Sequence, residues 1–294
     1  MSRPVAPTMI DAVLLRTWPL PSLETAGGKE ERGRVLVVAG SREVPGAALL
    51  AGEAALRAGA GKLQLGVPAD VAAAVAIALP EAKVMSLPTT PAGACSATPA
   101  LEHACARADA LLVGPGMDDT PALRRLVHRL SASAGCTVVA DAGALGAFAQ
   151  PHAFTSFPVL TPHAGEMASL IGAAVEDVHD HAADIAVQFA TERQVVLVLK
   201  GPDTWIAAPD GRLWLHTGGC CGLGTSGSGD VLGGIMAGLV ARGAKPAQAA
   251  AWGVYLHGQA GERLARTVGS VGFLARELPA CIPMLLDGLV PTAA

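Results

Sequence analysis

Apolar residues in this chain fall into short β-branched runs closed by glycine or a polar residue, separated by stretches rich in small residues at helical spacing. Residues 34–39 (RVLVVA) end in Gly40-Ser41 and predict a buried strand entering a loop. Residues 47–60 predict a small-residue helix closed by Gly59 and Gly61, residues 62–67 a strand, and residues 71–78 a helix. Residues 88–99, rich in Pro, Thr, Ser and Gly, predict a surface loop. The alternation then resumes: strand 110–113 ending in Gly114-Pro115-Gly116, helix 121–130, and strand 137–140 ending in Asp141. Strand 158–160 follows, ending in Thr161-Pro162-His163, and then strand 195–199, ending in Lys200-Gly201.

Repeated strand–loop–helix units imply a mainly parallel sheet with helices on both faces, an α/β fold. Residues 204–208 and 213–216 flank Pro209-Asp210-Gly211 and predict a hairpin. Beyond a glycine-rich loop, residues 231–240, 246–257 and 275–285 predict helices. No internal repeat or linker divides the chain, so the expectation is one domain over residues 1–294 with its core at about 27–285. In such sheets ligands bind beyond the carboxyl ends of the strands, where every unusual loop of this chain falls.

Composition sharpens this picture. Hydrophobic residues make up 51% of the chain but aromatics only 3%, so the core must rest on Ala, Val and Leu packed closely. A net charge of −4 gives no footprint for nucleic acid or an anionic membrane, and an anionic ligand must be held locally. Residues 71–80 form the longest apolar stretch, too short to span a bilayer. The first seven residues lack the pattern of a secretory signal, and the six cysteines form no CxxC pair, which predicts a reduced, cytoplasmic protein.

The chemistry concentrates in Gly222-Leu223-Gly224-Thr225-Ser226-Gly227-Ser228-Gly229-Asp230, followed by an apolar helix. Glycines let backbone N–H groups approach an anion, and the helix start adds its positive end. Gly227, Ser228 and Gly229 are the candidate anion hole, and Asp230 in the first turn is the candidate base for a hydroxyl attacking a phosphoryl group. A plain glycine turn with a capping Asp remains the alternative. Residues 222–227 also match GxGxxG, but they lie late in the chain with no acidic strand end some 20 residues on, which excludes a dinucleotide fingerprint. His179-Asp180-His181 is set aside as a metal site because i and i+2 diverge on a helix, and adjacent Cys220 and Cys221 lack metal spacing.

Gly-x-Gly-Asp opening a C-terminal apolar helix resembles the anion-hole signature of the ribokinase-like superfamily. The remaining motifs resemble its NAD(P)H-hydrate dehydratase branch: Val38-Ala39-Gly40-Ser41, Gly46-Ala47-Ala48, Val113-Gly114-Pro115-Gly116, Leu160-Thr161-Pro162-His163-Ala164-Gly165-Glu166, Val198-Leu199-Lys200-Gly201-Pro202-Asp203-Thr204 and Tyr255-Leu256-His257-Gly258. The resemblance implies ADP-dependent dehydration of the S epimer of hydrated NADH or NADPH, with AMP and phosphate released. Asp230 would be the base, Gly229 part of the anion hole and AMP site, and Lys200, Gly201, Pro202, Asp203 and Thr204 the AMP-binding run. Ala47, Gly116 and His163 would contact the hydrated cofactor, and Glu166 would hold Mg2+ through water. The resemblance further implies a homotetramer. With about 30 residues before the first strand there is no room for a fused epimerase, so a separate epimerase or spontaneous epimerisation is expected.

Three loops depart from the family pattern. Gly143 and Gly146 replace an Asp and an Asn, Cys220-Cys221 an Asn-Pro, and Val44-Pro45 a Tyr-Ser. Two other readings share parts of this machinery: a kinase for a small vitamin-precursor alcohol, and a catalytically silent nucleotide-sensing module.

Overall fold

Ten strands join edge to edge in one sheet in a computed structural model of the chain, which describes residues 6–22, 28–90, 93–150, 154 and 156–289. Parts of three expectations lie outside the described residues: the chain start, residue 27 of the core, and residues 91–92 of the 88–99 loop. The strands are β1 (Thr8–Met9), β2 (Arg34–Val38), β3 (Lys62–Pro68), β4 (Ala82–Leu87), β5 (Ala110–Val113), β6 (Thr137–Ala140), β7 (Val159–Leu160), β8 (Val196–Leu199), β9 (Thr204–Ala207) and β10 (Leu213–His216). Their order is β1-β10-β9-β8-β7-β6-β5-β2-β3-β4. All pairs are parallel except those of β9, which runs antiparallel to β8 and, across the Pro209-Asp210-Gly211 turn, to β10.

The helices are α1 (Ala12–Thr17), α2 (Gly46–Arg57), α3 (Ala72–Ala78), α4 (Pro99–Ala106), α5 (Pro121–Ser133), α6 (Ala164–Ile171), α7 (Val175–Asp180), α8 (Ala182–Arg193), α9 (Ser228–Ala241), α10 (Pro246–Thr267) and α11 (Ile282–Asp287). Successive strand residues feed two separate cores. Val35, Val37, Val196 and Val198 face a layer containing α2, α9 and α10, while Leu36, Val38, Leu197 and Leu199 face α4, α5, α6 and α8. Doubly covered strands explain the continuous apolar runs in the sequence.

The closest helix pairing joins α2 to α9. A Cβ built on Gly234 would lie 2.2 Å from the Ala51 carbonyl oxygen, and one on Gly238 would lie 2.4 Å from that of Ala55. The two backbones therefore touch along a seam of glycine and alanine, which accounts for the small-residue composition. This seam fixes α9, whose first turn carries Asp230, against the sheet.

Two expectations are corrected. The single helix predicted over residues 275–285 is instead a pair of 3-10 turns, Ala275–Glu277 and Pro279–Cys281, followed by α11. Pro279 and Pro283 interrupt it, since each lacks an N–H for a helical bond. The region between helix 71–78 and the 88–99 loop holds a further strand, β4.

Candidate functional site

Five adjacent parallel strands end at one place. In sheet order β8, β7, β6, β5 and β2 lead into Lys200, His163, Asp141, Gly116 and Gly40, and α9 begins above them. The predicted residues are thus brought to one edge of the sheet.

Gly227 caps α9 in a left-handed conformation (φ 87°), and a Cβ there would lie 2.4 Å from Leu50 Cδ1, so only glycine fits. The Ser228 N–H donates to the Thr225 carbonyl and that of Val231 to the Gly227 carbonyl. Among the described residues, the N–H groups of Gly229 and Asp230 have no such acceptor. The Gly227 N–H likewise has none, so of the expected set Gly227 and Gly229 keep open donors, with Asp230 beside them, while the Ser228 N–H is used. Ser228 turns inward: it is 5% exposed, and its Oγ lies 3.0 Å from His257 Nε2. Burial pushes the His257 ring down to about 4, so this histidine is neutral and structural.

Asp230 is half-buried, and among the described residues its carboxyl makes no hydrogen bond to its own helix. The capping alternative therefore does not describe it. Burial, with the nearby Asp141 charge adding, pushes its carboxyl up from 3.8 to about 6, although Lys200 pulls the other way. A carboxylate poised there suits a general base.

Lys200 reaches from the end of β8 to donate to Asp141 Oδ1 at 2.9 Å, and its Nζ lies 3.8 Å from Glu166 Oε2. A Cβ on Gly229 would stand 3.5 Å from that Nζ and 3.6 Å from Asp141 Oδ2, which places the cation against the first turn of α9. Burial opposes the Lys200 charge, but Asp141, Glu166 and Asp230 outweigh it and hold the ammonium above its ordinary range. Asp141 is 3% exposed and also accepts from Thr161 Oγ1 at 2.7 Å. Its place in the site was not apparent from the sequence, where it marks only a strand end. Gly201, Pro202 and Asp203 are exposed, and Thr204 opens β9 with its Oγ1 3.4 Å from the Gly201 carbonyl oxygen.

His163 caps α6. Its Nδ1 accepts from the N–H groups of Gly165 (3.0 Å) and Glu166 (3.3 Å), and Glu166 Oε2 accepts from the His163 N–H at 2.8 Å. A ring accepting at Nδ1 carries its proton on Nε2, a donor for a ligand. Ala47, buried in the first turn of α2, and Gly116 meet closely: a Cβ on Gly116 would be 2.5 Å from the Ala47 Cβ. Gly116 has φ 65°, and the neighbouring Pro115 carbonyl accepts from the Gly40 N–H at 2.7 Å.

The departing loops take definite shapes. A Cβ on Gly143 would lie 2.3 Å from the Met117 carbonyl oxygen, and one on Gly146 would lie 2.4 Å from Asp119 Oδ2, so the 117–119 loop occupies the space a side chain would need. Ala142, between Asp141 and Gly143, holds φ 48°. Cys220 and Cys221 are free thiols, and among the described residues no group of three or more His, Cys, Asp or Glu could hold a metal. His179 and Asp180 end α7 and His181 follows it, in agreement with a surface role. Among the described residues no helix is long and apolar enough to cross a membrane.

The topology is ribokinase-like. The chain superimposes with a TM-score of 0.84 on a ribokinase-like superfamily protein from Enterococcus faecalis, 24% identical, over 96% of each chain. A family model described as NAD(P)H-hydrate dehydratase matches residues 35–284, and the chain belongs to that family. It is 50% identical over 281 residues, 95% of this chain and 96% of the relative, to the ADP-dependent (S)-NAD(P)H-hydrate dehydratase of Xanthomonas campestris. It is also similar to the ADP/ATP-dependent NAD(P)H-hydrate dehydratase of Bacillus subtilis co-crystallised with ATP/Mg2+. That likeness has a TM-score of 0.85 and 31% identity over 96% of this chain and 98% of that one.

Proposed function

We propose that this chain dehydrates the S epimer of hydrated NADH or NADPH at the expense of ADP, releasing AMP and phosphate. The observation that carries the reading is Asp230. It is a half-buried carboxyl raised to about 6, free of helix capping, in the same first turn as the open N–H groups and near enough to Lys200 to feel its charge. The ring hydroxyl loses its proton to Asp230 as its oxygen attacks the terminal phosphorus of ADP and the bond to AMP breaks. The open N–H groups and Lys200 stabilise the charge spread over the phosphoryl oxygens. Phosphate then leaves the ring carbon, carrying the oxygen of the hydrate, the adjacent ring carbon gives up a proton to solvent as the ring double bond forms, and the reduced nicotinamide is restored.

Gly229 and the run Lys200, Gly201, Pro202, Asp203 and Thr204 hold the AMP half; Ala47, Gly116 and the His163 Nε2–H hold the hydrated cofactor. Glu166 is tied to the His163 N–H and faces Lys200, which leaves it fit to hold Mg2+ through water rather than directly. When bound, the ion supplies charge neutralisation on the phosphates. The chain works as one domain in a cytoplasmic homotetramer and relies on an epimerase or on spontaneous epimerisation, because an enzyme confined to the S epimer leaves the R epimer unrepaired.

The test supplies hydrated NADH, magnesium and ADP and follows reduced nicotinamide absorbance with AMP and phosphate. One AMP and one phosphate per cofactor restored are expected. Restoration without a nucleotide would overturn the mechanism, and a stable phosphorylated product would favour the vitamin-kinase reading.

A further inference from the structure

Two cavities beside the site share one loop in their walls. The first, about 290 Å³, is lined by Gly40, Ser41, Arg42, Glu43, Met117 and Asp118 among others. The second, about 370 Å³, is floored by Gly143 and Gly146 and walled by Asp118, Asp119, Arg124 and Glu166. Met117 and Asp118 line both, and they follow Gly116 directly in the chain. If Ala47 and Gly116 hold the nicotinamide end, either cavity offers the other half of the dinucleotide a path lined by Asp118.

The charges along both exits point one way. Each cavity holds one arginine, and each arginine is already neutralised. Arg42 pairs with Asp70, and Arg124 makes a two-point pair with Asp119 (Nε to Oδ1 2.7 Å, Nη2 to Oδ2 2.6 Å). Glu43 and Asp118 are exposed and form no ion pair among the described residues. Glu166 adds a further carboxylate in the second cavity, partly offset by Lys200. The distal half of the hydrated cofactor therefore meets unneutralised carboxylates and no spare cation.

NADH and NADPH differ in this half alone. NADH carries a ribose 2′-hydroxyl, which can donate a hydrogen bond to a carboxylate; NADPH carries a 2′-phosphate, which is repelled by one. We infer that this chain prefers hydrated NADH to hydrated NADPH, with Asp118 as a specificity-determining residue. The inference rests on the dehydratase reading above. It also explains what the loop around Gly143 and Gly146 does: the absent side chains admit the 117–119 segment, and with it Asp118 and Asp119, to the edge of the cavity.

The test compares kcat/KM for the two purified S hydrates with ADP and magnesium in the full-length protein. Because the carboxylates are solvent-exposed, a preference of about three- to tenfold for hydrated NADH is expected at low ionic strength, shrinking as salt is raised. Asp118→Asn should cut the ratio by about half or more, and Asp118→Lys should favour hydrated NADPH. Equal or better use of hydrated NADPH by the unaltered protein would overturn the inference, as would an Asp118→Asn ratio identical to that of the parent. Both results leave the dehydratase reading standing. Failure to dehydrate either hydrate would remove that reading, and the inference with it.

Discussion

Lys200 Nζ donates to Asp141 Oδ1 at 2.9 Å, linking the ends of two strands that are not neighbours in the sheet. The pair is nearly enclosed, and it sits beneath the first turn of α9, where it sets the electrostatics of Asp230. Several outcomes depend on this arrangement.

Replacement of Asp230 by Asn separates chemistry from stability. Turnover should fall by roughly 10²- to 10⁴-fold, the usual worth of a positioned general base. Stability should move in the opposite direction. The native carboxyl is raised from 3.8 to about 6, so the folded state binds more protons than the unfolded one between those values. Folding stability therefore falls as pH rises from about 4 to about 6, and the neutral Asn escapes that cost. At pH 7 the variant should be more stable by about 1–2 kcal/mol, after allowing for partial solvent screening. Thermal melts and single-turnover assays on one preparation check both halves; a variant with most of its activity intact would sink the assignment.

Asp141→Asn removes a negative charge that raises the Asp230 carboxyl and frees Lys200, which lowers it. Both changes shift the same way. The acid limb of the kcat/KM profile, expected near pH 6 in the parent, should move to lower pH. A merely structural role for Asp141 would depress activity equally at every pH.

Lys200→Ala leaves Asp141, Glu166 and Asp230 without their shared cation. ADP binding should weaken more than cofactor binding, and the acid limb should move to higher pH, opposite to Asp141→Asn. Calorimetry with each ligand decides the first point. Equal losses for both would make Lys200 a structural residue.

Gly234→Ala drives a methyl into the backbone of α2, 2.2 Å from the Ala51 oxygen. A cost of about 2–4 kcal/mol is expected, since backbone cannot rotate away as a side chain can. Gly135→Ala is the control, because a Cβ there meets nothing within 4 Å. Comparable melting temperatures for the two variants would contradict the close helix pairing.

Much of this was legible in the sequence because the interior strands are buried on both faces and stand out as apolar runs. Strand β4 did not: it lies at the sheet edge with Lys83 and Ser86 exposed, so no apolar run marks it. The C-terminal helix was overextended because its apolar spacing continues across Pro279 and Pro283, and spacing is blind to a missing N–H. Within the site, Asp230 and Lys200 were identifiable because each ends or opens an element in a loop of unusual composition. Asp141 and His257 were harder to place functionally. Asp141 acts through Lys200, 59 residues away in the chain, and His257 through Ser228, 29 residues away; no local pattern records such a pairing.

The seam between α2 and α9 has one further consequence. Ala51, Ala54, Ala55 and Ala58 face Gly234 and Gly238 so closely that neither helix can slide or roll without a steric collision. The Asp230 carboxyl thus rides on an anvil rather than a hinge, and any closing motion around it falls to the strand-end loops. The same interlock constrains inheritance. Glycine opposite alanine leaves nothing smaller to compensate a larger residue on either face, so the seam is closed to change and the strand-end loops are the freer ground.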